Sequence, residues 1–167
     1  MSYVLSLGKD GFVGRSQIFR AMVGLGYARP ERRHGDFEKY LGKTGLAYVE
    51  HCGFAPCEAV AFVRSAGGVP VLAHPGRSVS SLLITGLIEA GLEGIEAYHP
   101  AHDVMMTQVW LDVAKRYGLI VTGGSDFHGV APDEPAQLGG IAVPYSVVGR
   151  LDRRWQMLRD AKTRGNA

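Results

Sequence analysis

From Val69 onward, apolar and polar positions follow two alternating rhythms. Short β-prone runs begin at 69, 94, 119 and 141, in GVPVLAH, EGIEAYH, GLIVTGGSD and GGIAVPY, the first three at a constant interval of 25 residues. Between them lie runs with helical spacing. SSLLITGLIEAG carries Leu82, Leu83, Leu87 and Ile88 and meets a glycine stop at Gly91. DVMMTQVWLDVAKRYG starts at Asp103 as a cap, predicts burial of Met106, Val109, Trp110 and Val113, and ends in basic residues before Gly118. SVVGRLDRRWQMLRDAKTRG predicts a closing helix. An interval of 25 residues is the length of one βα unit, and strands alternating with helices of this length predict an α/β fold with a largely parallel sheet.

The first 68 residues have a different texture. RSQIFRAMVGLGY (15–27) and GDFEKYLG (35–42) predict two short helices joined by the charged turn RPERRHG, followed by an extended piece at LAYVEH. PCEAVAFVRSAGG then predicts a helix with Pro56 in its first turn and Gly67 as its stop. The chain is accordingly divided into a small helical subdomain at 1–50 and repeated βα units at 51–167.

Composition narrows the classes without naming one. The 167 residues are 46% hydrophobic and 20% charged, as in an ordinary globular chain of about one domain. A net charge of +2 is too weak to argue by itself for a nucleic-acid surface. No apolar run approaches the roughly 20 residues a bilayer-spanning helix needs, and the N-terminus lacks a signal-peptide pattern, so the expectation is a cytoplasmic protein. Cys52 and Cys57 are too few for a disulfide framework. His51 beside them gives HCGFAPC, a loose match to zinc spacing, but a structural zinc site wants four such ligands, and buried or half-buried thiols are the better reading.

What changes the picture is where the histidines and acids fall. His74 follows VPVLA, His99 and His102 follow GIEAY, and Asp126 and His128 follow LIVTGGS. Each has a plainer explanation when taken singly: a turn hydrogen bond for His74, a loop position for His99, helix caps for His102 and Asp126. Together they end three successive strands. In parallel α/β folds the C-terminal strand ends share one side, and that side holds the active site. On an extended segment Asp126 and His128 would also share a face. Imidazole and carboxylate without thiolate suit Zn, Mn or Fe, and a metal at such a cleft commonly serves hydrolysis. Arg77, in HPGR, has the planar fork that grips phosphate, or is an ordinary surface arginine. Glu96, inside GIEAY, is a candidate ligand, a support for a histidine ligand, or an interior residue.

VPVLAHPGR, GIEAYHPAH and LIVTGGSDFHG, in this order and spacing, resemble the PHP (polymerase and histidinol phosphatase) superfamily of metal-dependent phosphoesterases. The likeness is greatest to the branch of nucleoside 3′,5′-bisphosphate phosphatases and 5′→3′ exoribonucleases. GRSQIFRAMVGLGY and FEKYLGKTGLAYV look like the helical insertion of that branch. The resemblance implies a distorted (β/α)7 barrel with two or three divalent metal ions at the strand ends and a phosphorylated nucleotide or short RNA as substrate. It implies His74, His102, Asp126 and His128 as metal ligands and Arg77 as a holder of substrate phosphate. His99 matches less closely, and beside the implied set His99 and Glu96 stand as candidate ligands or as hydrogen-bonded supports of a ligand.

The sequence departs from that pattern in one respect. The family opens on a strand bearing His-x-His, whereas the only histidines before position 74 here are His34 and His51. A β/α barrel also needs roughly 200 residues or more. The expectation is therefore the C-terminal part of such a barrel with a small helical insertion, holding fewer metals than the full family site. A part-barrel exposes a sheet edge and an apolar face, which predicts pairing with a second copy or with a further N-terminal segment. Two rival readings stand beside the enzyme. One is a non-catalytic fragment or assembly domain with a degenerate metal site. The other, an amidohydrolase-like barrel, lacks a strand-end lysine to bridge two metals.

Overall fold

A computed structural model describes residues 2–8, 13–29, 32–49, 53–77, 79–127 and 138–165. The described residues form two compact units, the first drawn from 2–49 and the second from 53–127 and 138–165. Among the described residues no helix is long and apolar enough to cross a membrane.

The first unit consists of α1 (Ser2–Ser6), α2 (Arg15–Gly24) and α3 (Arg33–Leu41). Phe19, Ala28 and Leu41 are its buried centre, flanked by Ile18, Met22, Val23, Phe37 and Tyr40. The expected extended piece at LAYVEH does not form a strand in its described part, 46–49. Its backbone folds back on α3 instead: Leu46 N–H donates to Lys39 C=O and Ala47 N–H to Tyr40 C=O. Those helix-end carbonyls need partners, and satisfying them locally leaves no donors for a ladder.

The second unit runs α4 (Pro56–Ser65), β1 (Val71–Leu72), α5 (Ser81–Glu89), β2 (Gly94–Tyr98), α6 (Val104–Tyr117), β3 (Ile120–Gly123) and α7 (Ser146–Gly165). The strands make one parallel sheet in the order β1-β2-β3, with α5 and α6 as the crossovers. The starts of α5 and α6 follow from their caps. Ser80 Oγ accepts from Leu83 N–H, and Asp103 Oδ1 accepts from Met106 N–H at 2.7 Å, each satisfying an amide the helix cannot. Central β2 is the apolar heart. Ile95 and Ala97 are fully buried, packed with Ile84, Leu87, Leu92, Met106, Trp110 and Leu119. At the N-terminal end of β2, buried Glu93 is paired with Arg64 of α4 (3.0 Å) and Arg154 of α7 (2.9 Å), which tie both helices to the sheet.

The parallel sheet and most helices lie where the apolar rhythm puts them, but three expectations need correction. GGIAVPY at 141 forms no strand. Pro144 cannot donate to a ladder, and Val143 folds over the end of β3, its methyl 3.0 Å from where a Cβ on Gly123 would sit. Val109, expected inside, is exposed, and Val113 is only half-buried. Leu82 is likewise exposed, because α5 and α6 carry apolar residues on more than one face and only the sheet selects which face is covered.

Candidate active site at the C-terminal strand ends

The loops leaving β1, β2 and β3 bring His74, His99, His102 and Asp126 to one side of the sheet, where Glu96 of β2 meets the His74 backbone. The ring centroids of His74 and His99 are 5.2 Å apart, and those of His99 and His102 are 5.5 Å apart. His128 lies outside the described residues, as do His51 and Cys52; Cys57 is a half-buried free thiol.

Backbone geometry singles out two of these residues. Among the described residues, only His74 (φ 27°) and Asp126 (φ 51°) are non-glycine with positive φ. Such conformations cost on the order of 1–3 kcal/mol and gather at functional sites. Asp126 is reached through a tight approach of β3 to β2. A Cβ on Gly123 would lie 2.5 Å from Tyr98 Cβ and C=O, so only glycine permits the irregular pairing of Tyr98 with Gly123 that carries the chain on to Asp126.

The hydrogen bonds then separate the histidines by role. Glu96 Oε2 accepts the His74 backbone N–H at 2.8 Å, so strand alternation does turn Glu96 toward His74. His99 is buried, and its Nδ1 accepts from Ala101 N–H at 3.1 Å. A backbone N–H only donates, so the neutral ring carries its proton on Nε2. That Nε2 has no hydrogen-bond partner among the described residues and lies 3.4 Å from Asp126 Oδ2. His99 thus faces its proton to the carboxylate, as a support for a ligand does. His102, which the resemblance made a ligand, has both ring nitrogens engaged. Nδ1 meets Ala97 C=O at 2.9 Å, and Nε2 accepts from Gly76 N–H at 3.2 Å.

Arg77 Nη2 donates to Asp103 Oδ2 at 2.6 Å on the surface. The carboxyl of Asp103 is held below the usual aspartate range, chiefly by the Met106 N–H at the start of α6, with Arg77 adding to it. A depressed pKa stabilises the fold above the ordinary aspartate value, and that contribution is lost as pH falls through the lower folded value. Carbon-detected NMR titration is expected to find the Asp103 midpoint below that of an ordinary aspartate. Arg77→Gln should raise its midpoint only part-way, and full return to the ordinary value would show that Arg77, not the helix start, sets it.

The donor chemistry here, imidazole with carboxylates, suits a hard or borderline divalent cation. The buried, unpartnered His99 Nε2 aimed at Asp126 fits the support of a ligating carboxylate. Among the described residues, no three His, Cys, Asp or Glu side chains form a complete metal-holding group.

No profile of a known protein family matches the chain. Individual proteins do. A 3′,5′-nucleoside bisphosphate phosphatase of Chromobacterium violaceum is 37% identical over 127 residues, 73% of this chain and 43% of that protein. A phosphoribosyl 1,2-cyclic phosphate 1,2-diphosphodiesterase of Eggerthella lenta is 47% identical over 72 residues, 43% of this chain and 28% of that protein. A solved structure from Bifidobacterium adolescentis, assigned as a metal-dependent phosphoesterase, superposes with a TM-score of 0.78 at 31% identity, over 90% of this chain and 54% of that one. Over these stretches the chain is similar to phosphoesterases. It spans less than half the length of these two curated relatives and about half of that solved structure.

Proposed function

We propose that the chain carries a metal-dependent phosphoesterase site that hydrolyses phosphomonoesters of nucleotides or of short RNA 5′ ends. The observation that carries this reading is the pair of strained residues, His74 and Asp126, at the ends of β1 and β3 on either side of β2. In this reading Asp126, His74 and His128 hold one or more divalent ions (Mn, Zn or Fe). His99 orients the Asp126 carboxylate, and Glu96 fixes the His74 backbone or joins the ligands. Arg77, steadied by Asp103 on one edge of its fork, takes a substrate phosphate oxygen with its remaining N–H groups. A bound divalent ion would acidify a water and polarise the phosphoryl oxygen. The three parallel strands stand as consecutive members of a distorted (β/α)7 barrel, with 1–50 as its helical insertion and 51–167 as the barrel part. The free Cys57 thiol accords with a reducing cytoplasm. β1 and β3 each have one neighbour among the described residues, so a second copy of the chain or a further segment is proposed to cover an edge.

The test is Mn2+ and Zn2+ titration together with phosphate release from a nucleoside 3′,5′-bisphosphate, for the chain and for His74→Gly. Glycine relieves the φ of 27° but adds unfolded-chain entropy of about 0.5–1 kcal/mol, so stability is expected to hold or rise. Metal affinity should fall at least tenfold. A glycine variant that is destabilised yet binds metal normally would overturn the role of His74. One observation favours the rival, non-catalytic assembly domain: the ligand shell of the described residues is incomplete. Metal binding without phosphate release would select it.

A further inference from the structure

Gly76 is gripped through both of its backbone polar groups by buried rings. Its N–H donates to His102 Nε2 at 3.2 Å, and its C=O accepts from Trp110 Nε1 at 3.2 Å. Gly76 itself has φ 59°, a conformation that favours glycine. His102 is anchored in turn, because Ala97 C=O, on a fully buried residue of β2, can only accept and so fixes the ring as the neutral Nδ1–H tautomer. Ligating a metal through Nε2 would take from the Gly76 N–H the acceptor it has among the described residues.

The same short loop carries His74 two residues before Gly76 and Arg77 one residue after it. Its two ends are also held from the β2–α6 segment, His74 N–H by Glu96 and the Arg77 guanidinium by Asp103. Four side chains of one βα segment thus hold three of the four residues 74–77 of the loop after β1. A surface turn needs no such grip, whereas two groups that must meet one phosphate and one metal do.

We propose that His102 and Trp110 are positioning residues that clamp Gly76, and through it set the adjoining Arg77 for phosphate. This rests on the phosphoesterase reading. The clamp joins two strand ends, so the site is assembled by the β2–α6 segment acting on the β1 loop.

The experiment compares His102→Gln, whose amide oxygen can replace Nε2, with His102→Asn, whose shorter amide reaches only the Ala97 side. Three quantities are measured on the full chain: hydrogen exchange of the Gly76 amide, Zn2+ and Mn2+ affinity, and the Kd of inorganic phosphate in the metal-loaded protein. Thermal melts confirm folding. His102→Asn is expected to lower Gly76 protection 10- to 100-fold and weaken phosphate 5- to 20-fold, with metal affinity within threefold of wild type. His102→Gln should restore protection and phosphate binding to within about threefold. Trp110→Phe, which keeps the ring but removes the donor, should weaken phosphate by about threefold. If both His102 variants lose metal alike, His102 is a ligand and the proposal is overturned. Loss of Gly76 protection with phosphate binding unchanged overturns it as well. A wild-type chain that binds neither metal nor phosphate overturns the phosphoesterase reading and the clamp's purpose with it, while Gly76 protection tells that failure from the others.

Discussion

Asp126→Asn is expected to weaken Mn2+ and Zn2+ binding by at least about 100-fold and to abolish phosphate release, with little change in stability. Asparagine is the substitution to use because it tolerates the left-handed conformation as well as aspartate does, so the φ of 51° remains affordable. Only the charge is removed. Asp126 is exposed, and surface substitutions of this kind stay within about 0.5 kcal/mol. The expected loss therefore reports ligation rather than folding. Replacing the support instead of the ligand should do less: His99→Asn, which withdraws the ring from the carboxylate, is expected to cost metal affinity about 10-fold. Isothermal titration with each metal, beside phosphate release from a nucleoside bisphosphate, reads both. Unchanged metal content and unchanged hydrolysis in Asp126→Asn would sink the proposed site.

Ile95→Ala is expected to destabilise the second unit by about 3–4 kcal/mol, the range for emptying a fully buried aliphatic position. Ile95 has no exposed surface and lies in β2, which is paired on both sides, so neither strand can close on the void. Against a total of roughly 5–15 kcal/mol for a typical domain, that is a large fraction. Urea denaturation should find the midpoint lowered with the slope unchanged. Ile95→Val should cost only about 1 kcal/mol. A loss below about 1 kcal/mol for the alanine variant would mean that the sheet relaxes around the cavity and that β2 is not the rigid centre. Because β2 also carries Glu96 and leads into His99 and His102, metal affinity in Ile95→Ala should fall only as the folded fraction falls.

The regular apolar interval made the βα units legible because side-chain periodicity and strand propensity are local properties. So were the caps: Ser80 and Asp103 act on amides three residues ahead, and their helices start where those residues stand. Local pattern failed where a partner decides the outcome. GGIAVPY has strand-like residues, but it carries Pro144 and meets β3 without a ladder. Val109 and Leu82 are as apolar as the core residues beside them, and only the position of the sheet leaves them outside.

The candidate site divides in the same way. That histidines and an aspartate end successive strands follows from the chain alone, since parallel strands must bring those ends to one side. Which nitrogen does what does not follow from it. Spacing gives His99 and His102 similar claims, and resemblance preferred His102. In the fold Gly76 and Ala97 meet the two nitrogens of His102, while His99 Nε2 lies 3.4 Å from Asp126, a distinction spacing does not carry. Residue type and spacing are local and can be read in one dimension. The state of a ring nitrogen depends on backbone groups up to 26 residues away, and only folding brings those into contact.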